Sequence, residues 1–415
     1  MELTSKVSDV RKGYADFSVF AAMLAVAGLP SYFHAPKFFV DEYGVSLAAL
    51  GTVLFLLRLV DFVQDPALGW LAERTRARRS EMVFGGVALM AVSMAGLFAV
   101  APPLAPLLWF ALTLLVLFSA YSFLTISFYA QGVSVAEGGQ GHVRLATWRE
   151  TGALIGVCLA SVAPTVFVSF TDQPFAWFAL FFAGLCFAAA WAMRGNWEAS
   201  QVPQETSLRD VLSDGLARRL LLIGLLNAGP VAVSSTLFLF FVESRLDAPG
   251  WEGPLLLLFF LSAALAAPVW GRLAERYGAK DMLLSGMVLS ILAFGGTVFL
   301  GAGDALLFAV VCVTSGAALG ADMTLLPAMF ARRMATVAPA AGQAFGLWSF
   351  VTKFSLALAA VSLLPLLEGS GFAAGADNSP DALWTLTVLY ALLPCVLKLL
   401  ALALLWATPK MDGKE

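Results

Sequence analysis

The segment Gly69-Trp-Leu-Ala-Glu73-Arg74 occurs a second time, with a single exchange, as Gly271-Arg-Leu-Ala-Glu275-Arg276. Each copy follows a long apolar run, and the two runs occupy the same position in the first and the second half of the chain. A repeat of this kind predicts two similar halves in parallel orientation. We therefore expect an N-terminal bundle of six helices over residues 1–194, a cytoplasmic linker over 195–217 and a C-terminal six-helix bundle over 218–415.

The composition is typical of a membrane protein. Of the 415 residues, 60% are hydrophobic and only 13% are charged, which excludes an ordinary soluble domain. A helix needs roughly 20 apolar residues to cross a bilayer, and a backbone in lipid must satisfy its own hydrogen bonds. We predict an all-α polytopic protein with twelve transmembrane spans at 14–39, 44–72, 82–101, 105–131, 148–170, 174–194, 218–243, 251–276, 281–301, 303–333, 342–367 and 382–407.

Basic residues are confined to alternate connections between these spans, and they predict the orientation. By the positive-inside rule, the connections rich in arginine and lysine face the cytoplasm. Both termini are then cytoplasmic, as expected for an integral protein of a bacterial inner membrane. The N-terminal segment is polar, and the apolar run after it is too long for the core of a signal peptide, so we expect no cleaved presequence. The bases concerned are Arg74, Arg76, Arg78, Arg79, Arg144, Arg194, Arg209, Arg218, Arg219, Arg272, Arg276, Lys280, Arg332, Arg333, Lys410 and Lys414.

Patterns that indicate an enzyme, a metalloprotein or a nucleic-acid-binding protein are missing from the sequence. The four cysteines lie inside apolar runs, where they pack as small hydrophobic residues. His34 and His142 fall on opposite predicted sides of the membrane, which excludes a two-histidine metal site. We expect no enzymatic activity, no nucleic-acid partner and no cofactor beyond a coupling ion. The expected partners are a small-molecule substrate and the bilayer, and we expect a monomer.

Three charged residues lie inside predicted span two. Arg58, Asp61 and Asp65 are spaced three and four residues apart, which places them on one face of a helix. A charge at the centre of a bilayer costs at least about 2.5–3.5 kcal/mol, so intramembrane charges usually serve a function. One reading is that Arg58 neutralises one aspartate and locks a helix contact. The other is that the surplus negative charge binds a small cation, Na⁺ or H⁺.

The repeated segments resemble the cytoplasmic-loop motif of the major facilitator superfamily, and the resemblance extends over the whole chain. It implies a fold of two six-helix bundles that alternate access to a central cavity. It also implies that the charges of these loops hold an inner gate. The residues concerned are Glu73, Arg74, Arg76, Glu275 and Arg276.

Within that superfamily, Arg58-Leu-Val-Asp61-Phe-Val-Gln64-Asp65-Pro-Ala-Leu-Gly69-Trp resembles the signature of the glycoside-pentoside-hexuronide:cation symporters. The resemblance implies that Asp61 and Asp65 ligate the coupling cation, with Na⁺ as one candidate. Gln64 stands at a position usually held by Asn, whose shorter amide assists in the family.

Further polar residues inside the predicted spans are candidates for substrate contact or coupling. Lys353 resembles the single lysine that the family has in span eleven, near the substrate and cation sites. Arg149 matches a substrate-contacting arginine of span five, although a base at a helix start is also ordinary topology. Asp322 in span ten is either a second charge site or a partner of Lys353. Lys398 in span twelve either pairs or reaches the membrane surface.

The sequence departs from the family at the sugar site. Thr125 replaces an aspartate of span four that contacts both cation and sugar, although a hydroxyl can still ligate Na⁺. Tyr129 stands where an aromatic residue stacks on the sugar ring. The family's sugar-binding aspartate of span one corresponds to Ala25 by gap-free counting from Arg58.

We predict cation-coupled symport of a small solute, with a sugar or glycoside as the first candidate. Relatives in the family also carry lysophospholipids, so transport of such a lipid or of another amphipathic or anionic solute is the alternative. A non-transporting sensor that retained the transporter fold is a third hypothesis.

Overall fold

The computed structural model describes residues 2–136, 138–197, 208–373 and 378–409, and it is helical throughout, with no strand among these residues. Fourteen α-helices are present in the described ranges, the longest of more than 40 residues and the shortest of fewer than two turns. They are α1 (Glu2–Tyr43), α2 (Leu47–Arg74), α3 (Arg79–Phe98), α4 (Pro106–Val135), α5 (Gly138–Val168), α6 (Pro174–Met193), α7 (Leu208–Ser213), α8 (Gly215–Phe240), α9 (Glu252–Tyr277), α10 (Ala279–Gly296), α11 (Ala305–Val337), α12 (Gly342–Gly369), α13 (Pro380–Thr387) and α14 (Leu393–Trp406).

A long helical stretch lies at each of the twelve positions predicted to cross the membrane, which confirms the all-α architecture. Spans one to six are α1 to α6, and spans seven to eleven are α8 to α12. The last span is α13 and α14, which are continuous through the π-helical turn Val388–Leu392. Ten of these stretches are long and apolar enough to cross a bilayer, and α1 adds a shorter apolar segment, Tyr14–Gly28. The remaining helix, α2, is the one that carries the three predicted intramembrane charges.

Several helix ends follow directly from the local sequence. Pro106, Pro174 and Pro380 open α4, α6 and α13, because proline has no backbone N–H to leave unbonded in the first turn. Ser46 caps α2 by accepting a hydrogen bond from the backbone N–H of Ala49. Other helices extend past the predicted spans. Helix α5 begins ten residues before the predicted span, since apolarity marks the part of a helix that contacts lipid and not its end.

The chain divides into two compact units, and neither is one continuous stretch. The first unit comprises residues 1–137, 148–210 and 334–350, and the second comprises 138–147, 211–333 and 351–415. In the first unit, α4 packs against α2 and α3, and α6 packs against α1 and α3. In the second unit, α14 packs against α8 and α10. The predicted bundle boundaries stay a prediction. Residues 198–207 of the predicted linker lie outside the described residues, and its end forms α7.

Candidate functional site

The buried face of α2 carries the two predicted cation-binding acids. Leu57, Asp61, Asp65 and Gly69 are buried at four-residue intervals, and the two aspartates are only 1% and 0% exposed. The outward positions between them are large apolar residues, with Val63 78% exposed. A helix in lipid turns its apolar side chains outward, so its acids face protein. Asp61 and Asp65 therefore lie inside the first unit.

Asp61 has both a cation and an amide as neighbours. Its Oδ2 lies 3.7 Å from Nη1 of Arg58, which is partly exposed. Its Oδ1 accepts a hydrogen bond of 2.6 Å from Nε2 of Gln64. The amide oxygen of Gln64 in turn accepts 2.8 Å from the hydroxyl of Ser119 on α4. Arg58, Asp61 and Gln64, all singled out in the sequence, therefore come together, and Gln64 holds one acid in place.

Asp65 is bonded to a residue that the sequence did not single out. The hydroxyl of Ser349, in the first part of α12, donates to Oδ2 of Asp65 over 2.8 Å. Serine in an apolar run gives no signal by itself. The available clue was that Ser349 and Lys353 are four residues apart, which places both on one side of α12. Lys353 itself belongs to the second unit and is half-buried.

A second polar group forms where α4 meets α5, again within the first unit. Nε of Arg149 donates 2.8 Å to Oε1 of Glu150, and the hydroxyl of Tyr129 donates 2.9 Å to the same oxygen. The guanidinium carbon of Arg149 lies 3.7 Å from the centre of the Tyr129 ring, a cation–π contact. Tyr129 also packs against Phe345, with ring centres 5.2 Å apart. Glu150 was not recognised in the sequence, where an Arg-Glu pair at a helix start is ordinary.

One face of α4 leads to this group. Between Ala120 and Val133 every residue is buried except Tyr121, Thr125 and Tyr129, which are half-buried at four-residue intervals. These three side chains form a single polar stripe along the helix. Thr125, the residue at which the resemblance expects an aspartate, therefore lies one turn from Tyr129 on the half-buried side of α4, and its hydroxyl oxygen is buried.

Asp322 forms a buried cluster in the second unit. Its Oδ2 bonds the ammonium of Lys398 on α14, and that ammonium also donates 2.7 Å to Oδ1 of Asn227 on α8. Lys398 is 2% exposed, so it does not reach the membrane surface. Of the two roles that the sequence left open for Asp322, pairing is observed, but its basic partner is Lys398.

The two copies of the repeated segment make equivalent contacts with different partners. Glu73 accepts hydrogen bonds of 2.9 and 3.0 Å from the backbone and side-chain amides of Gln343, at the start of α12. Glu275 forms a two-point ion pair of 3.0 and 3.2 Å with Arg144, near the start of α5. Helices α5 and α12 occupy the same place in the two halves. Each glutamate thus bonds the helix that is the fifth predicted span of one half, α12 for Glu73 and α5 for Glu275.

The arginines of the repeated segments pack on neighbouring aromatic rings. Arg74 lies 5.0 Å from the ring of Trp70, and Arg276 lies 5.2 Å from the ring of Tyr277. Arg76 begins a single 3₁₀ turn, Arg76–Arg78, between α2 and α3. The ring contacts keep the guanidinium groups of Arg74 and Arg276 near the helix ends.

A further ion pair joins the start of α8 to the end of α11. Arg333 donates to both oxygens of Asp214, over 3.0 and 2.6 Å. The same carboxylate caps α8 by accepting a hydrogen bond from the backbone of Ala217. The hydrogen bonds from Arg333 hold the pKa of Asp214 below its usual value, against a smaller opposing effect of burial.

All four cysteines of the chain are free thiols. Among the described residues, no group of three or more His, Cys, Asp and Glu side chains is arranged to hold a metal ion.

Known proteins resemble the chain in sequence. The model of a family described as MFS/sugar transport protein matches residues 16–410. A glucuronide carrier protein homolog of Escherichia coli (strain K12) is 25% identical over 91% of this chain and 88% of its own length. An uncharacterized symporter of Bacillus subtilis (strain 168), YnaJ, is 36% identical, but the match spans only 20% of this chain and 19% of that protein.

Solved structures show the same fold at low sequence identity. A bacterial homologue of the iron transporter ferroportin, in an outward-facing state, superposes with a TM-score of 0.71, 14% identity, and coverage of 94% of this chain and 99% of that one. The fucose:proton symporter of E. coli superposes with a TM-score of 0.67 at 14% sequence identity. The superposition covers 95% of this chain and 98% of that one. Helix order, membrane spans and the family match agree with the resemblance read from the signature of α2. The chain belongs to the MFS/sugar transport family, among its glycoside-pentoside-hexuronide-type symporters, and it is a secondary transporter with the major facilitator fold.

Proposed function

We propose that the protein is a cation-coupled symporter that binds Na⁺ or H⁺ at Asp61 and Asp65. The observation that carries this proposal is that two carboxylates share the narrow buried face of a membrane helix. Arg58 lies 3.7 Å from Asp61 and is itself partly exposed, so this one cation does not cancel both buried acids. Buried carboxylates of this kind mark ion pathways in transporters.

The chemistry around the acids suits a small hard cation, which prefers oxygen ligands. The carboxylates of Asp61 and Asp65, the hydroxyl of Ser349 and the amide oxygen of Gln64 supply such oxygens. A proton would instead bind one carboxylate, and the same hydrogen bonds would position that group. Lys353 acts as the coupling residue in this proposal, as its resemblance to the family's single lysine of span eleven implies.

The solute in this proposal is small and hydroxylated, a sugar or glycoside, and it contacts Tyr129, Arg149 and Thr125. The support is the half-buried polar stripe that Tyr121, Thr125 and Tyr129 form on α4, beside Arg149. The description of the family as sugar transport proteins points to the same class of solute.

Transport proceeds by alternating access, with Glu73 and Glu275 bonded in one state and released in the other. The protein lies in a bacterial inner membrane with both termini in the cytoplasm, since its relatives are bacterial membrane carriers and the basic connections obey the positive-inside rule.

Uptake into proteoliposomes tests the coupling. We expect an imposed Na⁺ or H⁺ gradient to drive accumulation of a labelled glycoside, and Asp61→Asn or Asp65→Asn to abolish the dependence on the gradient. Asp172→Asn is the matched control, because Asp172 lies in the short connection before α6, far in sequence from the proposed site. The proposal would be wrong if neither a Na⁺ nor an H⁺ gradient changed uptake. It would also be wrong if folded Asp61→Asn and Asp65→Asn variants kept the dependence of uptake on the gradient.

A further inference from the structure

Arg149 and Glu150 form a buried ion pair that cancels its own charge. Their side chains are 5% and 4% exposed, and the salt-bridge distance is 2.8 Å. A buried arginine beside a solute would ordinarily favour an anion. Here the carboxylate of Glu150, the next residue of the same helix, already pairs with Arg149 in place of an anionic solute.

Glu150 also sets the orientation of the guanidinium group. One carboxylate oxygen accepts from Nε of Arg149 and from the hydroxyl of Tyr129. The side-on fork by which arginine grips a carboxylate needs Nε as one of its two donors. Because Nε is already bonded to Glu150, this side of Arg149 does not offer that fork to a carboxylated solute.

The Nη2 nitrogen of Arg149 bonds neither Glu150 nor Tyr129. Nη2 is buried and has no hydrogen-bond partner among the described residues. A buried donor without an acceptor destabilises the protein, so an acceptor oxygen of a bound solute would be stabilised here. A hydroxyl oxygen satisfies this donor without bringing a negative charge next to Glu150. Tyr129, which contacts Arg149, lies on the half-buried face of α4 together with Tyr121 and Thr125.

We propose that Glu150 is a specificity-determining residue that selects uncharged hydroxylated solutes over solutes that carry a carboxylate. It acts by cancelling the charge of Arg149 and by leaving Nη2 as the donor for a neutral oxygen. This inference rests on the proposed transport of sugars or glycosides. It distinguishes the chain from a carrier of glucuronides, the class named for one of its relatives.

The test compares matched ligands that differ only at C6, which is a hydroxymethyl group in the neutral sugar and a carboxylate in the uronide. We would measure binding and competitive uptake of methyl glucoside against methyl glucuronide, and of methyl galactoside against methyl galacturonide, in the wild-type protein. We expect the neutral ligand of the preferred pair to bind at least about tenfold more tightly, because like charges in a buried site repel strongly. This comparison uses only the wild-type protein, so it can be made even if the substituted proteins do not fold.

Substitutions then assign the selectivity to the residue. Glu150→Gln removes the negative charge, and we expect the preference for the neutral ligand to fall by about tenfold or more through tighter binding of the uronide. Glu150→Asp retains the charge, so we expect it to keep the selectivity in KM even where the maximal rate falls. Glu81→Gln, at an exposed position of α3, is the control and leaves the ratio unchanged.

The outcomes separate this inference from the proposed function. Wild-type protein that binds the uronide as tightly as the neutral sugar, or a folded Glu150→Gln variant with unchanged selectivity, would overturn the role of Glu150 and leave sugar transport standing. Failure of the wild type to bind any of the four ligands would overturn both.

Discussion

Ser349 donates a hydrogen bond of 2.8 Å to Oδ2 of Asp65, which ties the second acid of α2 to the first part of α12. The hydroxyl oxygen keeps lone pairs that the bond to Asp65 does not use. One side chain therefore orients the acid and also offers a ligand oxygen. In the proposed mechanism, a cation that binds Asp65 therefore also contacts the hydroxyl of Ser349 on α12.

Replacing this hydroxyl should weaken cation binding. In Ser349→Ala we expect the Na⁺ concentration for half-maximal uptake to rise by about tenfold or more, because the cation loses a ligand oxygen and the acid loses the group that orients it. Ser362→Ala is the matched control on the same helix, because the hydroxyl of Ser362 bonds carbonyls of its own helix. Cation dependence that is the same in Ser349→Ala and in the wild type would contradict the ligand role of Ser349.

The ion pair between Lys398 and Asp322 should be sensitive to the loss of either partner alone. Removing one member of a buried pair leaves an uncompensated charge and costs about 3–5 kcal/mol. We therefore expect Lys398→Met and Asp322→Asn each to lower the thermal unfolding midpoint of the purified protein strongly. The double variant should recover much of that loss, because neither charge is then left without the other. A double variant that loses as much stability as the two single variants added together would mean that the pair is not coupled.

Two glycines of α2 should respond oppositely to alanine. A Cβ at Gly69 would lie 2.8 Å from the backbone oxygen of Gly342, and backbone cannot easily move aside. We expect Gly69→Ala to destabilise the protein by about 1–3 kcal/mol, as overpacking does. A Cβ added at Gly51 would meet no heavy atom within 4 Å, so Gly51→Ala should be neutral or gain about 0.5–1 kcal/mol in helix propensity. Equal thermal shifts in the two variants would refute the close approach of α2 to the start of α12.

The ion pair between Asp214 and Arg333 predicts a dependence of stability on pH. The pKa of Asp214 is lowered from 3.8 in the folded protein, chiefly by its hydrogen bonds with Arg333. A depressed carboxyl pKa contributes stability that is fully present above the unfolded value and is lost as the pH falls through the folded value. We expect wild type and Asp214→Asn to differ by a constant amount near neutral pH. Below about pH 4 the gap should narrow, as followed by unfolding midpoints at a series of pH values. A gap that widens on acidification would contradict this sign.

The sequence by itself determined the architecture and the location of the intramembrane acids. Apolar runs, the repeated segment and the spacing of Asp61 and Asp65 are local features. Hydropathy and helical periodicity act on neighbouring residues of the chain, so they can be read without coordinates. The hydrogen bond from Gln64 to Asp61 is also a local feature, because the two residues are only three positions apart on one helix.

Only the tertiary structure decided which partner each polar group has. The sequence left open whether Lys398 pairs or reaches the membrane surface, and the structure shows that it bonds Asp322 and Asn227, which lie 76 and 171 positions away. The near-identical segments around Glu73 and Glu275 likewise bond an amide in one case and a guanidinium in the other. These choices depend on how helices distant in sequence pack side by side. Since an isolated polar residue in an apolar run satisfies its hydrogen bonds only through such packing, its partner is a property of the fold and not of its own segment.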